Sequence, residues 1–273
     1  MGPVLLHPGF HKTGTSSLQR GAIALRSVLE PHLRVVLAPD LGDTTRLARR
    51  FSAFGEARAL SRFHDAFSVA MDALNANDPR PVLISAEDLS GWLPGTHGVT
   101  DYSAAAPLVS EAAAVLKSAF GPRCTLYLLY TTRPADDWLR SAYWQVLRAT
   151  RLTQDFAAFA QTMRQAACFE PVITAARSAV GDAMRVETLA LENCAEDPLG
   201  PLGYAARRLG VPVTGLPPVP VQNVQPDGAA EAFLALNRSD LGTTDLSDAK
   251  RRLLRRYRSG GTTRRPGPKP KFS

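Results

Sequence analysis

Cysteine is scarce in this 273-residue chain. Cys124, Cys168 and Cys194 are the only three, and they lie far apart. There is no Cys-x-x-Cys and no mixed Cys/His spacing, so neither a disulfide framework nor a zinc site is expected. Long apolar runs are missing too: none approaches the roughly 18 residues that a membrane-spanning helix needs. The N-terminus shows no basic segment ahead of an apolar one, the pattern of a secretory leader. These absences predict a soluble protein of a reducing, cytoplasmic compartment. Acidic residues are absent from the last stretch, where Lys250 to Ser273 holds ten basic residues and no acidic one. The chain carries +7 overall, but residues 1–249 hold 22 basic against 25 acidic residues, a net of −3. The excess of positive charge is therefore local to the C-terminus, and a nucleic-acid-binding core is not expected. What remains is ordinary globular composition, 45% hydrophobic and 21% charged, at a length that one α/β domain can fill.

Short β-branched and leucine-rich runs alternate with helical patterns. Val4–His7, Arg34–Leu37, Val82–Ser85, Thr125–Thr131 and Arg185–Leu189 read as strands. After the first, Leu18, Ala22, Leu25 and Leu29 fall on one helical face; after the fourth, Trp138, Ala142, Val146 and Ala149 do the same. The alternation predicts an α/β fold, a single P-loop-type domain with a central parallel sheet flanked by helices. The domain is expected over 1–258, with a basic Gly/Pro-rich tail over 259–273. The Pro-rich segment Gly210–Asp227 reads as an extended connection.

The first strand runs into His7-Pro8-Gly9-Phe10-His11-Lys12-Thr13-Gly14-Thr15-Ser16-Ser17-Leu18. A phosphate cradle belongs between a strand and a helix, because unpaired N–H groups and the helix dipole at the helix start attract anions. Against the Walker A pattern G-x-x-x-x-G-K-[ST], Gly9 and Gly14 are correctly separated and Ser16 holds the hydroxyl position. The lysine position is taken by Thr15, and the lysine stands inside the loop as Lys12. His7 is expected to end the strand and His11 to line the loop.

A second pattern follows the fourth strand. Arg133 ends it, Pro134 suits a first helical position, and Asp136 and Asp137 fall in a first turn that favours negative charge. Ser141 comes eight residues after Arg133, and helical side chains lean toward the N-terminus, so the two can converge at the strand's C-terminal edge. The third strand ends in Glu87 and Asp88, also where ligands gather in a parallel sheet.

Lys-Thr-Gly-Thr-Ser after a first strand resembles the 5′-phosphosulfate loop of sulfotransferases that use 3′-phosphoadenosine 5′-phosphosulfate (PAPS). Arg133, Pro134, Ser141 and Tyr143 resemble that family's 3′-phosphate motif, although Pro follows Arg directly where many relatives insert one residue. Arg185–Glu192, Asp197-Pro198 and Ala205–Val211 resemble its last strand and helix. A loose match to its basic closing loop falls on Tyr257–Gly261 with Arg264 and Arg265. The resemblance implies a sulfonyl transfer from PAPS, as co-substrate, to a hydroxyl or amine acceptor, carbohydrate among the candidates, with no metal. It implies that Lys12, Thr13, Gly14, Thr15, Ser16 and Ser17 hold the 5′-phosphosulfate, with Lys12 also reaching the leaving oxygen. Arg133 and Ser141 would select the 3′-phosphate. Glu87 would stand in for the family's catalytic histidine as the base, with Asp88 the alternative. Two other readings stay open: a Mg²⁺-dependent P-loop kinase using Glu87 or Asp88 on the metal, and a non-catalytic nucleotide-binding module. Segments Arg50–Ser68 and Gly91–Ala106 are expected to help form the acceptor pocket.

Overall fold

The computed structural model describes residues 2–75, 77–219 and 226–260, with backbone alone for 258–260. Five strands form one parallel sheet: β1 (Val4–His7), β2 (Arg34–Leu37), β3 (Val82–Ser85), β4 (Leu126–Thr132) and β5 (Arg185–Ala190). Their order is β2-β3-β1-β4-β5. The central β1 sets Val4 beside Val82 on one flank and beside Leu126 on the other.

Side chains alternate across a strand, and the two faces bury different sets. Val4, Leu6, Val82, Ile84, Leu126 and Leu128 join the larger core. Leu5, Leu83, Tyr127 and Leu129 join the smaller one. The smaller core is covered by α1 (Thr15–Ala24), the single turn α2 (Arg26–Leu29) and, from far along the chain, α9 (Pro201–Arg208). The larger core lies under α3 (Thr44–Phe54), α4 (Ala57–Asp72), α5 (Ala105–Phe120), α6 (Ala135–Ala149), α7 (Phe156–Met163) and α8 (Glu170–Val180). This is an α/β domain with helices on both faces of the sheet, as expected. Among the described residues no helix is long and apolar enough to cross a membrane.

Four local differences from the sequence reading have physical causes. The face running from Leu18 to Leu29 is not one helix: the chain leaves helical geometry at Leu25 (φ −99°, ψ 12°), which separates α1 from α2. β4 and β5 are displaced by a residue at their ends, ending at Thr132 and Ala190, because Thr132 pairs with Ala190 in the ladder. Pro134 is extended (φ −52°, ψ 139°) and caps α6 instead of opening it; lacking an N–H, it loses nothing there.

The fourth lies at the C-terminus, where α10 (Ala229–Asn237) precedes α11 (Thr243–Gly260). Tyr257 to Gly260 thus belong to a helix, not to a closing loop, and Tyr257 donates to the Gly228 carbonyl at 3.1 Å. Gly261, Arg264, Arg265 and the rest of the tail lie outside the described residues, as does 220–225 of the Pro-rich connection. Lys250, at the head of the basic stretch, is buried. Its ammonium donates to the carbonyls of Leu147 (2.7 Å) and Thr150 (2.5 Å), and Asn237 donates to Leu147 and Leu152. The C-terminal carbonyls of a helix have no partners within it, so α10 and α11 supply them to α6. Burial lowers the Lys250 pKa to about 8.

Candidate active site

The loop after β1 is held by a buried chain of hydroxyls around one imidazole. His7 is fully buried; its Nδ1 lies 2.9 Å from Ser85 Oγ at the end of β3, and its Nε2 lies 3.1 Å from Thr131 Oγ1 on β4. Thr131 Oγ1 lies 2.9 Å from Thr13 Oγ1, which donates to the Phe10 carbonyl at 2.7 Å. Burial lowers the His7 pKa to about 4, so the ring is neutral at neutral pH and can both donate and accept. Three strand ends and the loop are thereby tied together.

Two glycines let the loop close. At Gly9 (φ +59°) a Cβ would stand 2.4 Å from Thr15 Oγ1. At Gly14 (φ +100°) it would stand 2.7 Å from Leu191 Cδ1. Phe10 anchors the underside, stacked on Tyr130 and Phe169 with ring centroids 4.7 and 4.5 Å away. Lys12 takes a left-handed conformation (φ +69°), which non-glycine residues adopt at a cost. α1 begins directly after Gly14, with Ser17 and Leu18 N–H groups bonded to the Gly14 carbonyl.

Above the loop opens a cleft of about 800 Å³. Lys12, Gly14, Thr15, Ser16 and Ser17 form its floor, and Arg133 and Ser141 face it from the end of β4 and from α6. Glu87 and Asp88 enter from the turn after β3. The residues singled out in the sequence therefore meet at the C-terminal edge of the sheet, with one exception. Thr13 is fully buried, and its hydroxyl is engaged inside the loop by Phe10 and Thr131; its side chain fixes loop shape and does not face the cleft.

The two carboxylates differ in their surroundings. Asp88 accepts from Arg49 at 3.2 Å and lies 3.5 Å from His11 Nε2. The Arg49 guanidinium also sits over the Trp92 ring, 4.7 Å from its centroid, and Trp92 stacks on His97 at 3.9 Å. His11 is fixed through its backbone, which accepts from Trp138 Nε1 at 2.8 Å and donates to the Tyr102 hydroxyl at 3.1 Å. Glu87 has no ion-pair partner among the described residues. Its charge raises the Lys12 pKa, against a stronger lowering by burial and then by Arg148, with Arg133 and Arg20 adding less.

Sequence reading missed several lining residues. Arg20 lies on α1, four residues after Ser16; Gln145 and Arg148 follow Ser141 by four and seven residues, the spacing of one helical face. That periodicity was the available signal. Arg49 had none. Of the two segments expected at the acceptor pocket, Gly91–Ala106 contributes Trp92, Leu93, Thr96 and His97. Arg50–Ser68 instead forms the end of α3 and most of α4 and contributes no lining residue; its neighbour Arg49 does.

No protein-family model matches this chain, and no curated protein matches it. Among solved structures it is similar to the crystal structure of a sulfotransferase from Alicyclobacillus acidocaldarius, 20% identical, with a TM-score of 0.44, covering 94% of this chain and 99% of that one.

Proposed function

We propose that this protein is an enzyme that transfers a sulfonyl group from PAPS to a hydroxyl or amine acceptor. One observation carries the reading: a lysine displaced from its Walker A position shares a single cleft with the Arg133 and Ser141 pair. A nucleotide phosphorylated at both its 5′ and 3′ ends has a use for both the loop and that pair.

In this reading the start of α1 and the loop backbone hold the 5′-phosphate, with Ser16 and Ser17 adding hydroxyls. Arg133 and Ser141 take the 3′-phosphate, the arginine by charge-assisted hydrogen bonds. Lys12 stabilises the negative charge that grows on the phosphate oxygen as the sulfur–oxygen bond breaks. Glu87 removes the proton from the acceptor atom that attacks sulfur. The kinase reading would need Asp88 or Glu87 on a metal ion, yet Asp88 is already held by Arg49 and His11.

The test is binding followed by turnover. 3′,5′-ADP should bind at least tenfold more tightly than 5′-AMP, and PAPS should be consumed with a mixture of acceptors in the presence of EDTA. Equal binding of the two nucleotides, or turnover of ATP restored by Mg²⁺, overturns the proposal.

A further inference from the structure

We infer that the acceptor is a hydroxyl-rich molecule carrying a carboxylate or sulfate of its own, and that Arg148 recognises that anionic group. The inference rests on the sulfonyl-transfer reading and narrows it.

The cleft runs along α6. Arg133 and Ser141 mark the nucleotide's 3′ end, and Arg148 lies seven residues further on. At about 1.5 Å per residue that is about 10 Å beyond Ser141. Arg148 lines the same cleft as Lys12, Arg133 and Ser141. With Arg133 and Ser141 assigned to the 3′-phosphate, Arg148 is a further lining cation two turns along α6, and we assign it to the second ligand of the same cleft.

The cleft is lined mainly by polar side chains. Of the lining side chains only Trp92, Leu93, Ala149 and Leu191 are apolar, and Trp92 is already packed against Arg49 and His97. A flat phenol, a sterol or an acyl chain would find little apolar surface here, and such ligands bind in pockets lined mainly by hydrophobic side chains. Gln145, Thr150, Thr96 and His97 offer donors and acceptors suited to hydroxyls. The lining also carries five cations, Lys12, Arg20, Arg49, Arg133 and Arg148, against two carboxylates, on a body whose overall charge is slightly negative. Arg148 is held in place by its own neighbours. It donates to Gln145 Oε1 and packs over the Trp144 ring, 5.0 Å from the centroid. Lys250 and Asn237 fix the carbonyls on either side of it. A planar guanidinium so placed matches a carboxylate or sulfate in two-point geometry.

Calorimetry on the full chain tests this. The nucleotide arm titrates 3′,5′-ADP. The acceptor arm titrates the loaded protein with a glucuronic-acid disaccharide, its methyl ester and 4-nitrophenol. The uronate should bind about tenfold more tightly than the ester, with 4-nitrophenol weakest. Arg148→Gln should erase the difference between uronate and ester while leaving 3′,5′-ADP affinity within twofold, and Arg148→Lys should restore part of it. Failure of 3′,5′-ADP to bind overturns the underlying reading and this inference with it. Normal 3′,5′-ADP binding with uronate and ester indistinguishable, no uronate binding, or tighter 4-nitrophenol binding overturns the inference alone. So does an Arg148→Gln protein that loses 3′,5′-ADP affinity as much as uronate affinity, which would move Arg148 to the nucleotide.

Discussion

Arg49 holds the Asp88 carboxylate at 3.2 Å, and this pairing separates the roles of two adjacent acids. A carboxylate held by a guanidinium beside His11 is not free to turn toward an acceptor hydroxyl. Glu87, one residue earlier, faces the same cleft without an ion pair among the described residues. The expected outcome is that Glu87→Gln lowers turnover by about 10² to 10⁴ while 3′,5′-ADP affinity and melting temperature hold. Asp88→Asn should reduce turnover less, through loosening of His11 and Arg49. Steady-state kinetics on both variants decide it, and a reversed order would make Asp88 the base.

Arg133→Ala should weaken 3′,5′-ADP binding by roughly tenfold or more, the worth of about 1.5–3 kcal/mol for a charge-assisted hydrogen bond, and 5′-AMP binding far less. Ser141→Ala should show the same selectivity with a smaller effect. Parallel titrations with the two nucleotides check this; equal losses for both would remove the pair from the 3′-phosphate.

Lys12 combines a left-handed backbone with the cation that the proposal places at the reaction centre. Lys12→Gly relieves the left-handed conformation, so thermal stability should hold or rise while turnover collapses. Lys12→Ala keeps the strain and should lose turnover more than nucleotide affinity, since leaving-group charge develops only in the transition state. Thermal melts beside single-turnover rates give the comparison. A Lys12→Gly protein with normal rates would sink the role assigned to the lysine.

The buried His7 predicts an acid-sensitive fold. Its folded pKa, about 4, lies below its ordinary value of 6.5, so between those values the unfolded chain binds the extra proton. Stability from this group is present in full above pH 6.5 and is lost as pH falls toward 4. Urea denaturation at pH 7, 5.5 and 4.5 should show a steeper decline for the native protein than for His7→Asn. Identical slopes would mean that the imidazole does not titrate as its burial requires.

Much of this site is written locally in the sequence. The loop from Gly9 to Ser17 and the Arg133–Ser141 spacing are each set within one strand–turn–helix unit, so their residues could be read without the rest of the chain. Their meeting in one cleft follows from strand order. Residues that reach the cleft from elsewhere were illegible: Arg49 arrives from α3, and nothing in its neighbourhood distinguishes it from the arginines beside it. The burial of Thr13 was hidden for a related reason, because its hydroxyl partner Thr131 comes from β4. The helical reading of Leu18 to Leu29 failed at Leu25 because periodicity reports which side is buried and not where the backbone bends.

The position of β1 at the centre of the sheet has a consequence for how the protein is made. Of the five strands, the first to leave the ribosome is the central one, and neither of its partners, β3 and β4, yet exists. His7 must wait for Ser85, 78 positions later, and for Thr131, 124 positions later. At a synthesis rate of about 5–20 residues per second, that wait is about 6 to 25 seconds. Until Val82–Ser85 emerges the apolar Val4–Leu6 segment has no partner, and until β4 emerges it lacks its second; pairings this distant close slowly even in the finished chain. The loop after β1 is thus made before the strands that shape it, so, in the proposed reading, nucleotide binding during refolding should report completion of the sheet.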